Sequence, residues 1–291
     1  MKIGVVGLGL MGSAIATRLV STGHKIFVYN RNKTKTERFS DTCTVASNPK
    51  ELADNCDFII TVVTDFTAVC DVLFGEKGII RSANHSLIVA NTSTISPSQS
   101  EHCAKLLRQA GIEMLGMPVM GGPTSAEAGD LIPIVAGDKQ AFESVEKIIE
   151  SIGKPVYMGN KDGIANAVKL ALNLNIALIA TAISEGIVLV RASGIDPSKF
   201  IQILNSTYFK TGLSEKKGPK MIIGDFAPSF HLKNMLKDLE LAVTTAQTEG
   251  VALPHTALAE QIYRAANNSG FSGKDYTAIL SFLAKINGME K

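Results

Sequence analysis

Asn166, Lys169 and Asn173 stand out in the stretch GIANAVKLALNLNIALIATAISEGIVLVR, residues 163–191, because the rest of it is almost wholly apolar. Spacings of three and four place them on one helical stripe. The stretch has no Pro and only two Gly, and its Leu, Ile, Val and Ala cover most of the way round a helix. Such a helix belongs inside a protein, with neighbours on both flanks. An ammonium group there is costly to bury alone. Two readings follow for Lys169: it snorkels out from the helix end, or it is a catalytic lysine at the floor of a cleft.

A second constellation opens the chain. Lys2–Val6 is a short apolar run, Gly7, Leu8, Gly9, Leu10, Met11 and Gly12 follow, residues 13–20 have helical character, and Lys25–Tyr29 is a second strand. This is GxGxxG with a strand before it, a helix after it and another strand next, the context a dinucleotide needs. Gly7 allows the tight turn, Gly9 lets backbone approach a pyrophosphate, and Gly12 lets helix and strand pack closely. The helix N-terminus offers free N–H groups to the phosphates. An NAD site usually ends its second strand in Asp or Glu. Here the chain reads Asn30, Arg31, Asn32, with Lys33 and Lys35 beyond. A guanidinium binds a 2′-phosphate bidentately, which points to NADP(H); a solvated basic turn is the plainer reading.

The elements that must hold these groups are short apolar runs at 58–63 and 86–90, suited to buried parallel strands. Val63 and Thr64 end the first, and a polar loop with Thr94 follows the second. Loops beyond the carboxyl ends of parallel strands face the ligand, although Ser and Thr there also cap the next helix at Ser96-Pro97. Gly121 and Gly122 lead into a further strand at 132–138; paired glycines suit a small carboxylate site or an ordinary turn. After the long helix, residues 197–206, 231–250, 254–268 and 273–287 read as helices without strand alternation. Residues 207–230, rich in Lys and Gly, read as a long connection. The expected fold is therefore α/β: an N-terminal Rossmann doubly wound parallel sheet (1–162), a long interdomain helix (163–191), and an all-α C-terminal domain (163–291 with that helix).

At 291 residues and 45% hydrophobic, the chain can bury two cores. Its net charge of +2 gives no basic surface for nucleic acid or membrane. Asn173, Asn175, Thr181, Ser184 and Glu185 interrupt the apolar stretch, which reads as a buried soluble helix; Glu185 reads as a buried hydrogen-bonded carboxylate or an interdomain contact. The four cysteines form no CxxC pair, which fits reduced thiols in a cytoplasmic protein. No second ligand pair accompanies His102-Cys103, so no metal is expected. None of the five histidines has a triad-like partner, and His231 reads as structural.

With GLGLMG at 7–12, PVMGGPTSAEAGDL at 118–131 and KLALN at 169–173 in this order, the whole chain resembles the β-hydroxyacid dehydrogenase family. The segment FAPSFHLK at 226–233 with KDL at 237–239 is most similar to its glyoxylate and succinic semialdehyde reductase branch. The resemblance implies an NADP(H)-dependent oxidoreductase of small acids. It makes Lys169 catalytic, with Asn173 holding substrate and Thr94 between nicotinamide and substrate. Gly121 and Gly122 become donors to the substrate carboxylate. Phe230 and Asp238 become shapers of the substrate pocket, and Lys237 a cofactor contact. It also implies a homodimer or homotetramer. Met120 departs from the family, which usually has Ser there; a thioether is only a weak acceptor, and a lost charge-assisted bond costs about 1.5–3 kcal/mol. A different or larger substrate is expected.

The reaction expected is hydride transfer to an oxo acid or semialdehyde, with Lys169 as general acid, its pKa lowered towards neutrality by partial burial. Imine reductases share this architecture but commonly replace the lysine. The same fold also serves 3-hydroxyisobutyrate dehydrogenase proper, which would keep the lysine. A non-catalytic NADP-binding module would leave Lys169, Asn173 and Thr94 without a purpose.

Overall fold

The structure is a computed structural model and describes residues 1–289. Two compact units are present, Met1–Lys169 and a second that begins at Leu170.

In the first unit the chain runs β1 (Lys2–Val6), α1 (Leu10–Ser21), β2 (Lys25–Tyr29), β3 (Thr44–Val45), α2 (Pro49–Asn55), β4 (Phe58–Thr61), α3 (Phe66–Phe74), β5 (Ile88–Asn91), α4 (Pro97–Gln109) and β6 (Glu113–Gly116). The six strands form one parallel sheet in the order β3-β2-β1-β4-β5-β6. Strand order reverses at β1 and β4, the switch point of a doubly wound sheet. Alternation along the strands fills two cores. Ile3, Val5, Phe58, Ile60, Ile88 and Leu115 pack with Ile15 and Leu19 on one face. Val6, Ile59, Val89 and Met114 pack with Leu52, Leu73 and Leu107 on the other. Burial on both faces explains why these strands read as continuous apolar runs.

Beyond β6 come β7 (Val119–Met120), α5 (Pro123–Ala128), β8 (Ile132–Val135), α6 (Lys139–Glu150) and β9 (Val156–Tyr157). β7, β8 and β9 make a second, three-stranded sheet, with β7 antiparallel to β8 and β9 parallel to it.

The helix α7 (Ile164–Ala192) begins in the first unit and continues into the second. There α8 (Pro197–Ser206), α9 (Gly212–Ile223), α10 (Leu232–Thr248), α11 (Pro254–Ala266) and α12 (Ile279–Ile286) follow. Ala177 and Ala180 of α7 pack with Leu239, Tyr263 and Phe282. Ile183 and Ile187 pack with Ile201, Met221 and Leu280. By length and composition α7 is apolar enough to cross a membrane, a test that core helices of soluble proteins also pass.

Three expectations need correction. Residues 207–230 are not one irregular connection, because α9 occupies their centre. Gly218 and Pro219 signal a break, yet Thr211 caps the helix through Ser214. Glycine at 218 also lets α9 approach α8 closely: a Cβ there would lie 3.1 Å from Ile201. The last helix starts not at 273 but at Ile279, after a 3-10 turn at Tyr276–Ala278. Nor is α7 buried all round: Leu172 and Leu189 are exposed, and so is Glu185, which is not the buried carboxylate expected of it.

Candidate active site

The glycine loop turns between β1 and α1 as a dinucleotide platform must. Gly7 has φ +93°, a left-handed conformation that only glycine adopts without strain. A Cβ on Gly12 would lie 1.9 Å from the Gly7 carbonyl oxygen, so glycine alone permits this approach of α1 to the loop. At Gly9 no atom lies within 4 Å of where a Cβ would point. Gly9 is also the N-cap of α1 and makes no side-chain cap, so the first turn, with Leu10 and Met11, keeps N–H groups for an anion. These residues fit a pyrophosphate.

Asn30 braces that loop from the end of β2. Its Oδ1 accepts from the Leu8 amide at 2.8 Å, and its Nδ2 donates to the Asn32 carbonyl at 2.8 Å. Asn32 in turn caps the next turn through Thr34. Between the two asparagines, Arg31 is exposed, as are Lys33 and Lys35. The rigid part of this corner is thus built from amides, and the guanidinium is left facing solvent.

The loops after β4 and β5 are tied together. Asn91 Oδ1 accepts from the Thr61 hydroxyl at 3.0 Å and the Ser93 amide at 3.2 Å. The Val63 amide donates to Ser93 Oγ at 3.2 Å, and the Thr92 hydroxyl to the Thr61 carbonyl at 2.8 Å. Val63 and Thr94 are half-buried, while Thr64 is exposed beside Asp65, to which its hydroxyl donates at 3.1 Å. From α7, the buried Asn166 donates to the carbonyls of Ser93 and Ile95, each at 3.3 Å.

Lys169 does not snorkel into solvent. Its half-buried ammonium donates to the Val119 carbonyl at 2.8 Å and lies 3.2 Å from Met120 Sδ. Both acceptors belong to β7, which runs into Gly121 and Gly122. Gly121 has φ +119°, and a Cβ there would press within 2.8 Å of Leu131. Gly122 is the N-cap of α5 and has open space where a Cβ would point. The ammonium and this glycine pair therefore share one strand end. The rest of Met120 packs towards Ile134, Ala165 and Met158.

In the second unit, Asn173 follows Lys169 by one turn of the same helix. Its Nδ2 donates to Asp238 Oδ2 at 2.5 Å. Asp238 is 2% exposed, and its Oδ1 lies 2.8 Å from Lys237 Nζ. Phe230 is half-buried, edge-on to Tyr276 with ring centroids 6.3 Å apart. Its loop hangs on Asp275, which accepts from Lys217 at 2.8 Å and from the amides of Ser229 and Phe230 at 3.0 and 3.4 Å. Burial opposes charge on Asp275, but Lys217, the Ser229 amide and the Thr277 hydroxyl outweigh it and hold the carboxyl below its ordinary range. His231 lies 3.0 Å from the Gly273 carbonyl, a structural contact.

The pattern of the NAD-binding domain of 6-phosphogluconate dehydrogenase matches residues 2–159, more than half of the chain. That of the NAD-binding region of NADP-dependent 3-hydroxyisobutyrate dehydrogenase matches residues 163–283. The chain belongs to the β-hydroxyacid dehydrogenase family. The 2-hydroxy-3-oxopropionate reductase of Escherichia coli (strain K12) is 30% identical over 283 residues, 97% of each chain. The chloroplastic glyoxylate/succinic semialdehyde reductase 2 of Arabidopsis thaliana is 28% identical over 291 residues, all of this chain and 81% of that one. The crystal structure of 3-hydroxyisobutyrate dehydrogenase from Salmonella typhimurium shares the fold, with a TM-score of 0.87 at 23% identity over 97% of this chain and 99% of that one. This β-hydroxyacid dehydrogenase is thus a nicotinamide-dependent oxidoreductase of small hydroxy acids or their oxo forms.

Several groups in this β-hydroxyacid dehydrogenase escaped the sequence reading. The Val119 carbonyl carries no side-chain signal at all. Lys217 and Asp275 stand 58 residues apart, and nothing in their local spacing pairs them. Asn166 was visible on the Lys169 stripe, but its partners at 93 and 95 were not.

Proposed function

We propose that the chain is an NADPH-dependent reductase of a small oxo acid or semialdehyde, running reversibly, with Lys169 as general acid and base. The observation that carries this reading is the half-buried Lys169 ammonium, aimed by Val119 and Met120 beside the Gly121–Gly122 turn. Gly7, Leu8, Gly9, Leu10, Met11 and Gly12 would hold the pyrophosphate, braced by Asn30. Arg31 would take the 2′-phosphate, with Asn32, Val63, Thr64, Thr94 and Lys237 as further cofactor contacts. When bound, NADPH supplies the hydride. Lys169 gives its proton to the oxygen that becomes the alcohol and recovers one from solvent; in oxidation it takes that proton back. The amides of Gly121 and Gly122 hold the carboxylate, and Asn173 and Thr94 orient the carbonyl. Phe230 and Asp238 border the substrate.

Met120 sets the substrate class within this reading. No hydroxyl stands where the family's serine would grip a carboxylate, so the backbone donors carry that anchor and the thioether favours a larger or more apolar acid. Four unpaired thiols, two of them buried at Cys56 and Cys103 and pushed up to about 12 by burial, suit the reducing cytoplasm.

The test is NADPH oxidation with glyoxylate, succinic semialdehyde, methylmalonate semialdehyde, tartronate semialdehyde and a cyclic imine, with NADH in parallel. Rapid turnover of one acid aldehyde with NADPH is expected. Activity on the imine alone would reassign the chain to imine reduction, and silence on every compound with tight NADPH binding would sink the reading.

A further inference from the structure

Asn166 is the third residue of α7, in its first turn, and its side chain is fully buried. Its Oδ1 has no hydrogen-bond partner. An orphaned buried acceptor costs folding free energy, so burial alone does not account for an asparagine here. Side chains that break a local rule in this way mark functional positions. A second orphan lies in the same network: Asn91 Nδ2 is buried and unpaired, although Asn91 Oδ1 holds Thr61 and Ser93.

What Asn166 gains is a grip on both sides of Thr94. Its Nδ2 donates to the Ser93 and Ile95 carbonyls, the residues before and after Thr94, at 3.3 Å each. Asn91, Thr92 and Ser93 tie the same loop to Thr61 at the end of β4 and to Val63 just after it. The sheet therefore sets one end of the loop's position and α7 sets the other. Three residues along α7 from Asn166 stands Lys169, on nearly the same face.

We propose that Asn166 is a positioning residue: it locks the Thr94 loop to the helix turn that carries Lys169, fixing the Thr94 hydroxyl and the Lys169 ammonium against each other. The inference rests on the reductase reading for its catalytic consequence. The clamp itself does not. Misplacing either group by an ångström slows the chemical step without weakening cofactor binding.

The experiment compares wild type with Asn166→Ala and with Asn166→Leu, the nearer match in volume should the smaller side chain fail to fold. Amide hydrogen exchange at 93–95 is followed in the protein without cofactor, and turnover with NADPH and 4-deuterated NADPH on the best substrate of the panel. The clamp predicts faster exchange at 93–95, kcat lower by about 10- to 100-fold, an unchanged NADPH dissociation constant and a larger deuterium isotope effect. A purely structural role would leave the isotope effect where it was. Unaltered exchange, or kcat kept within about twofold in a folded variant, overturns the proposal. A wild-type protein inactive on the whole panel overturns the functional reading instead, and exchange at 93–95 still decides whether the clamp exists.

Discussion

The Lys169 ammonium donates to a carbonyl and lies against the Met120 thioether, and the lysine and the methionine can both be tested as chemistry. Lys169→Ala is expected to lower kcat by about 10²- to 10⁴-fold, the range of a lost general acid, while NADPH binding measured by fluorescence stays intact. Substantial retained turnover would remove Lys169 from the mechanism. Met120→Ser returns a hydroxyl to the strand end. If the carboxylate then regains a bond worth about 1.5–3 kcal/mol, KM for the smallest oxo acids should fall by about 10- to 100-fold. An unchanged KM would show that Met120 does not face the carboxylate. At the other end of the platform, Arg31→Asp sets a carboxylate against a 2′-phosphate, and the ratio of kcat/KM for NADPH over NADH should invert.

At the scale of elements, the glycine loop separates two effects of one methyl group. Gly12→Ala drives a Cβ into the Gly7 carbonyl and should lower Tm sharply. Gly9→Ala meets nothing in the folded chain, so the melting point should hold while NADPH affinity falls. Loss of stability in both variants would mean that Gly9 is a packing residue. The Asp275 hub gives a second test. Lys217→Met strands a buried carboxylate, a change that costs about 3–5 kcal/mol, measured by urea unfolding. Because Asp275 is held below the ordinary carboxyl value in the folded state, the unfolded chain binds the more protons. Its contribution is full above about pH 3.9 and is lost as pH falls from there through the lowered value. Asp275→Asn should flatten that part of the acid profile. These elements also show why the sequence was partly legible. The loop at 7–12 could be read because its backbone demands specific residue types at specific steps. The strands β1, β2, β4 and β5 could be read because burial on both faces leaves apolar runs. β7 has two residues, too few for any period, and α9 hid behind Gly218 and Pro219, although the glycine is what lets the helix close on Ile201 of another helix.

The whole molecule leaves most of its exposed large apolar side chains in the second unit, among them Leu189, Ile203, Phe209, Ile223 and Leu258. The outward stripe of α7 runs through Ala171, Asn175, Ala182, Glu185, Leu189 and Ala192, small or apolar at most steps. Leu189, 67% exposed, stands beside Val188, Ala192 and Leu283 at a shallow hollow. A chain with this much uncovered apolar surface is expected to self-associate, and a net charge of only +2 opposes association weakly. Light scattering should therefore find a dimer or tetramer. Leu189→Asp, which puts a charge into the uncovered stripe without touching the buried face of α7, should shift the population towards monomer and leave the circular dichroism unchanged. A wild-type protein that scatters as a single monomeric species would contradict this. An assembly unaffected by Leu189→Asp would place the interface away from this stripe, on surfaces such as Ile203, Phe209 and Ile223 instead.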